Sequence, residues 1–422
     1  MHHSAVPTRA DAEALDASDP LREVRGEFVV ADESTCYLDG NSLGRLPRAS
    51  LRAVADVMEH EWGRDLIAGW DGWIDEAQHV GDLIGRAALG AAAGQVLAID
   101  TTSANFYQLC AAALRARPGR STVVSDAANF PTDRYILEGI CRDRGLRLVL
   151  VDDFDGEGDV SLDRLASVLN DDVALVTLSV VQYRSGALHD VAGMTAAIQR
   201  HAALALWDAS HAVGVVPLEF DRWGVDLAVG CTYKYGNSGP GAPAWLYVAA
   251  HHLDALQVPI QGWFAQADQF GMGPSFERAP GIRGFQVATP PIVGLRCVRE
   301  GFRMIERAGI GAIAAKAARA TAMMVSLHDA WLAPLGCTLV TPRDPARRGG
   351  HLTFHHPQAE QLSRAMRAAN VIGDYRAPNQ VRVACSPLAT SYVEVWDGFA
   401  RIRDLLSSGG HLRAAPPSSR VT

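Results

Sequence analysis

Between residues 121 and 250 the chain repeats one rhythm, a short apolar run followed by a longer segment with helix-like spacing. The runs are STVVS, LRLVLVD, VALVTLSVV, ALALWDAS, LAVGCTY and APAWLYV, and segments such as PTDRYILEGICRDRG and DVAGMTAAIQRHA lie between them. Buried strands separated by helices imply βαβ units and a mainly parallel sheet. Upstream, residues 48–120 read as helical and alanine-rich, with RASLRAVADVMEHEW the clearest amphipathic piece. Residues 255–295 are rich in glycine, proline and aromatics and lack a period, which predicts a functional loop rather than a linker. One long helical run, PIVGLRCVREGFRMIERAGIGAIAAKAARATAMMVSLHDAWLAPLG, comes next. Short strands CTLVTP, GGHLTFHH and QVRVACSP follow, with helix QAEQLSRAMRAAN among them. The predicted class is α/β. An N-terminal arm and loop cover 1–47, a large domain 48–300, a smaller α+β domain 301–408, and an irregular tail 409–422.

Composition narrows the function classes. The 422 residues are 48% hydrophobic and 20% charged, with a net charge of -8, so no polybasic footprint for nucleic acid is present. No stretch approaches 18 uninterrupted apolar residues, and the start carries no apolar segment behind a basic one, so the expectation is a cytoplasmic protein with no membrane partner. Seven cysteines stand singly with no CxxC pair, and read as buried thiols. The adjacent pairs His251, His252 and His355, His356 are expected to point apart on a helix or strand, so no metal site is predicted.

One residue type does change the picture. The chain has 39 basic residues but only two lysines, Lys234 and Lys316. Lys234 sits in CTYKYGNSGPG at the end of a predicted strand, where a desolvated amine can form an imine and an arginine cannot. Asp208, in LWDASHAVG, ends an earlier strand with His211 three residues on. A carboxylate and an imine-forming lysine at the carboxyl ends of strands is what pyridoxal phosphate needs: an amine for its aldehyde and a partner for its ring nitrogen. DTTSANFYQLC opens a helix with Thr101, Thr102 and Ser103, either a capping cluster or a phosphate cradle. In NFPTDRYILEGI, Phe130 precedes Pro131, Thr132 and Asp133 at a helix start, either stapling the core or stacking on a planar ring.

Taken in order, YLDGNSLG, NFPTDRYILEGI, GCTYKYGNSGPGAPAWLYV, GWF, TPPI, RRGGHLTF and VIGDYRAPNQVRV resemble kynureninase, a hydrolase of pyridoxal phosphate fold type I, over residues 35–405. The resemblance implies pyridoxal 5'-phosphate as cofactor and cleavage of kynurenine or a ring-substituted kynurenine to an anthranilate and alanine. It implies Lys234 as the cofactor lysine, Asp208 as partner of the ring nitrogen and His211 in the same pocket. Thr102, Ser103, Phe130, Pro131, Thr132, Asp133 and Ser179 match further cofactor positions. Tyr233 matches a phosphate contact and proton donor, and Arg382 the grip on the substrate α-carboxylate. Trp70 falls where the family lines the aromatic end of the substrate pocket. Trp263 and Thr289 match contacts supplied by a neighbouring subunit, which implies a homodimer with shared sites. Four positions depart from the family pattern, Ala265, Gln266, Gly236 and Ser238, and are expected to alter the pocket on the substrate side. The rival readings are a desulfurase or lyase of the same fold, against which no cysteine stands in a mobile glycine-rich loop, and a non-catalytic cofactor-binding regulator.

Overall fold

The parallel sheet forms where the apolar runs predict it. In the computed structural model, which describes residues 6–152 and 159–413, seven strands assemble into one sheet. Across it they run Val96–Ile99, Ala244–Val248, Leu227–Gly230, Leu204–Asp208, Val173–Ser179, Thr122–Asp126 and Arg147–Val151. Only Ala244–Val248 pairs antiparallel with its neighbours. Strand Val173–Ser179 is buried along its whole length, which is why it shows a continuous apolar run without alternation.

Strand Val96–Ile99 is the element that the pattern hides. Its four residues are all buried and lie inside a stretch read as helical. A run that short carries no period to separate strand from helix. Further on, the single long helical run is two helices, Ile292–Ala308 and Ile310–Leu327, divided at Gly309 with φ of 79°. The segment Ile310–Leu335 is long and apolar enough to cross a membrane by length and composition. Its buried residues pack into protein instead: Ile313 and Ala317 in the core of the large part, and Ala320, Met324 and Leu327 in the core of the C-terminal part.

That core covers a second sheet, whose order is Asp374–Arg376, Gln380–Ala384, His351–His355 and Thr338–Leu339. The N-terminal arm belongs to the same core. Ala12 of helix Arg9–Ala17 is buried there, and Asp16 accepts from the backbone N–H of Tyr392 (2.8 Å) and Val393 (3.0 Å) at the start of the last helix. The loop after the arm is a strap between the two sheets. Cys36 and Tyr37 pair in parallel with Val371 and Ile372, while the N–H of Gly44 donates to the Tyr233 carbonyl at 2.8 Å. A Cβ on Gly44 would stand 2.3 Å from the Lys234 carbonyl oxygen, so only glycine allows this approach.

Part of the predicted irregular tail, residues 410–413, is ordered. Residues Gly410–Arg413 form a 3-10 turn with His411 buried, its ring 3.1 Å from the Leu405 carbonyl. The rest of that prediction, 414–422, lies outside the described residues.

Candidate active site

Strand ends at the carboxyl edge of the large sheet converge on one cavity of about 340 Å³. Its wall holds Asp208 and Ser179 from the last positions of their strands and Lys234 and Tyr233 from the loop after Leu227–Gly230. Thr102 and Ser103 line it from the start of helix Thr102–Arg115, and Phe130, Thr132 and Asp133 from the start of helix Pro131–Arg144. His211 lines it as well. Pro131 is the first residue of its helix, where its fixed φ suits the start, and does not itself form the wall.

The two helix starts differ in what they offer. At the first, Thr101 caps with its side chain, accepting from the Ala104 N–H at 3.2 Å. The N–H groups of Thr102 and Ser103 are left at a positive helix end facing the cavity, a cradle for an anion. At the second, Phe130 is 39% exposed and meets Tyr183 edge-on at 5.3 Å, so one ring face is open. A core staple would be covered on both.

Lys234 is 9% exposed, and no hydrogen bond or ion pair holds its amine among the described residues. Burial lowers its pKa, with Cys231 and Asp208 acting in the opposite sense. A carboxyl pair lies nearby. Asp208 accepts from the Ser210 N–H at 2.7 Å, and Asp133 lies against it. Burial first, and Asp208 second, push Asp133 well above the usual carboxyl range, which favours its protonated form. The Tyr233 phenol is also pushed up, by the adjacent Cys231 and then by burial, so it keeps its proton.

This donor set fits pyridoxal 5'-phosphate. An unpaired buried amine suits the aldehyde, the carboxyl pair suits the ring nitrogen, the helix start suits the phosphate, and the open Phe130 face suits the ring. The unpartnered Nδ1 of buried His211 adds one more polar atom awaiting a ligand.

Arg382 lies beyond this wall on strand Gln380–Ala384 and is 1% exposed. Its Nε donates to Asp374 Oδ1 at 2.8 Å and its Nη2 to Asp374 Oδ2, so one bidentate edge is taken. The other edge makes single bonds, Nη1 to the Tyr183 carbonyl (2.6 Å) and Nη2 to Ser42 Oγ (3.4 Å). Asp39 is close by, raised to about 7 by burial and then by Asp374. Asp374 sits directly opposite Arg382 in the antiparallel register. Its role shows only once that register is known, and sequence reasoning assigned it none; Tyr183 and Ser42 were missed likewise.

Three predicted residues stand apart from the cavity wall. Trp70 packs on Trp73 and Phe264 at 5.6 and 6.0 Å. Trp263 is 43% exposed, with its indole N–H donating to the Gln269 carbonyl, and Thr289 is exposed.

None of the four departures lines the cavity within this chain. Ala265 is fully buried. Gln266 is tied back into its own loop, accepting from the Glu277 N–H at 2.6 Å and donating to the Ser275 carbonyl at 3.3 Å. Gly236 packs under Phe302, whose ring would stand 2.9 Å from an added Cβ, and Ser238 donates to the Gly236 carbonyl at 3.1 Å. Both therefore fill the seam against helix Ile292–Ala308. The histidine pair 251 and 252 also differs from expectation. On a 3-10 turn their rings are 4.0 Å apart and both approach Asp226, which with them forms a three-donor group. Asp226 also accepts from Gln199 and from the Ala205 N–H, so these contacts tie the turn to the sheet.

Known proteins bear on this site from two directions. A family model, the kynureninase C-terminal domain, matches residues 313–402. The kynureninase of Pseudomonas fluorescens is 38% identical over 409 residues, spanning 95% of this chain and 96% of that protein. Among solved structures, the apo cysteine desulfurase of Thermococcus onnurineus NA1 superimposes with a TM-score of 0.80 at 17% identity, covering 92% of this chain and 98% of that one. A C-DES variant with glycine linked to its PLP cofactor gives a TM-score of 0.78 at 16% identity, covering 94% and 99%. At such identities these two structures show the shared fold.

Proposed function

Since the chain belongs to the kynureninase family, it is a pyridoxal phosphate-dependent hydrolase that cleaves kynurenine to anthranilate and alanine, and we propose how its residues divide that work. The observation carrying the assignment is the unpaired amine of Lys234 in a cavity that otherwise offers an anion cradle and a carboxyl pair. When bound, the cofactor supplies an aldehyde that traps amines and a ring that accepts an electron pair.

The amides of Thr102 and Ser103 would hold the phosphate, the Phe130 ring would cover the cofactor ring, and Asp208 with protonated Asp133 would keep the ring nitrogen protonated. Ser179, Thr132 and His211 complete the wall. Lys234 Nζ would hold the aldehyde and, when free of it, would be the base placed to take the substrate α-proton. Its lowered pKa suits that exchange. Water adds to the substrate γ-carbonyl, the Cβ–Cγ bond breaks with the acyl carbon leaving as the anthranilate carboxylate, and Tyr233 Oη, which holds its proton, would give it to the β-carbon. Arg382 receives the substrate α-carboxylate on its Nη1–Nη2 edge while Asp374 holds the opposite edge. Trp70, packed on Phe264, lines the aromatic end.

The active unit is a homodimer in which Trp263 and Thr289 serve the partner's site. Support comes from the exposed apolar side chains gathered on their segment, Ile260, Trp263, Phe270 and Met272. A cytoplasmic location is supported by seven free thiols. Absorption spectra test the cofactor assignment: the purified protein is expected to show a visible band that Lys234→Ala removes, and an unchanged band overturns it. Anthranilate fluorescence and alanine release from kynurenine and 3-hydroxykynurenine test the reaction, and failure of both products with both substrates overturns that. For the dimer, mixing Lys234→Ala with a Trp263→Ala, Thr289→Ala double variant is expected to recover about a quarter of the activity through hybrid dimers with one intact site.

A further inference from the structure

Two imidazoles meet where the cavity wall touches the small sheet. His211 lies in the wall, and His351 opens strand His351–His355. Their ring centroids are 5.3 Å apart at 52°. His351 is 0% exposed, yet among the described residues neither of its ring nitrogens has a hydrogen-bond partner, and His211 Nδ1 has none either. The Tyr183 carbonyl lies near the His351 ring without forming a hydrogen bond of acceptable geometry. Buried polar atoms of this kind are rarely left dry.

The register places His351 next to the carboxylate site. Thr353 faces Arg382 and His351 faces Ala384 across the antiparallel pair, so alternation puts all four on one face. His351 is then the diagonal neighbour of Arg382, with the small Ala384 giving its ring room. Gly186, at φ of 77°, completes the seat, since a Cβ there would stand 3.2 Å from His351 Nε2. Burial lowers the pKa of both rings, to about 3 for His351, and Arg382 and Lys234 act on both in the same sense. Asp374 opposes this at His351. Each ring is therefore neutral, with one N–H to give and one lone pair to fill.

We propose that His211 and His351 are bridged by one bound water, and that His351 is a positioning residue fixing the tautomer and orientation of His211 in the cavity wall. Strand His351–His355, the direct partner of the strand that carries Arg382, is thereby joined to the cavity by a hydrogen-bonded relay. The kinetic consequence rests on the cavity being the cofactor pocket; the tautomer assignment does not.

The test is ¹⁵N NMR of the histidine rings in labelled holoenzyme, together with two variants. In the wild type both rings are expected to be neutral from about pH 5 to 8, each locked in one tautomer. His351→Leu should turn the His211 signal into a tautomer mixture and lower kcat about tenfold with little change in KM, while His351→Gln, which keeps a donor and an acceptor, should hold both within about threefold. Rapid tautomer exchange at either ring in the wild type overturns the pair even where the Leu variant fails to fold. A Gln variant as impaired as the Leu variant, or a Leu variant with unchanged His211 signal and kcat, reduces His351 to packing and overturns its positioning role. Absence of the visible band from wild-type protein would count against the cofactor reading, leaving the NMR result to decide the pair.

Discussion

The two lysines are buried to a similar depth and wired in opposite ways. Lys316, on helix Ile310–Leu327, forms an ion pair with Asp19 of the N-terminal arm at 2.7 Å, and its ammonium lies 5.7 Å from the Tyr392 ring centre. Both side chains of that pair are under 5% exposed. Among the described residues Lys234 has no such partner, and it faces a cavity. In the arm seam the charge of Lys316 is answered by the chain itself. At Lys234 the chain bears the cost of a buried, unanswered amine, which is consistent with a ligand completing it. Scarcity of lysine marked both residues equally, so composition alone could not tell the chemical one from the structural one.

The largest expected effect breaks the comparison at its chemical end. Lys234→Ala should lower turnover by about 10⁴-fold or more while leaving the melting temperature of the apoprotein unchanged or raised, because no stabilising contact is lost. At the structural end the signs reverse. Lys316→Met leaves Asp19 charged and alone, and should reduce stability by about 3–5 kcal/mol in urea unfolding, with activity per folded chain unchanged. Pairing it with Asp19→Leu should recover much of that loss.

Asp374→Asn tests whether answered charges can also serve chemistry. It removes the carboxylate behind Arg382, and should raise KM for kynurenine by about tenfold to a hundredfold with a smaller change in kcat. Equal losses in both would place Asp374 elsewhere in the mechanism. The smallest effect is expected from Asp39→Asn. The folded-state pKa of Asp39 is raised to about 7, above its unfolded value near 4, so the folded chain holds a proton between those values that the unfolded chain has released. Wild-type stability therefore falls through this group as pH rises from about 4 to 7. The variant should lack that contribution, and the difference in melting temperature between the two should grow across the window and level off above it.

The sheet of the large part was legible because all its strands except the edge strand Arg147–Val151 are buried along their length and read as apolar runs, flanked by helices with clear periods. Val96–Ile99 was not, being too short to carry a period. At the site, Lys234, Asp208, His211, Thr102, Ser103 and Phe130 could be marked because each stands at the end of a strand or the start of a helix, positions that local sequence predicts. Asp374, Tyr183 and His351 could not, since what they do depends on strand register and on backbone atoms brought from far along the chain. The packing of Gly236 and Ser238 was hidden for a related reason: nearness in sequence to Lys234 says nothing of the direction they face, and they face Phe302 and helix Ile292–Ala308.

The strap of residues 36–44 has a mechanical consequence. One end is knitted to Val371 and Ile372, two residues before Asp374, and the other rests on the backbone of Tyr233 and Lys234. A rigid-body shift of the small sheet cannot slip past the large one while both attachments hold; it must draw the lysine loop with it. The grip on a carboxylate and the setting of the reactive amine are thus geared to each other by a tether only nine residues long, running through Gly44 where no other side chain fits.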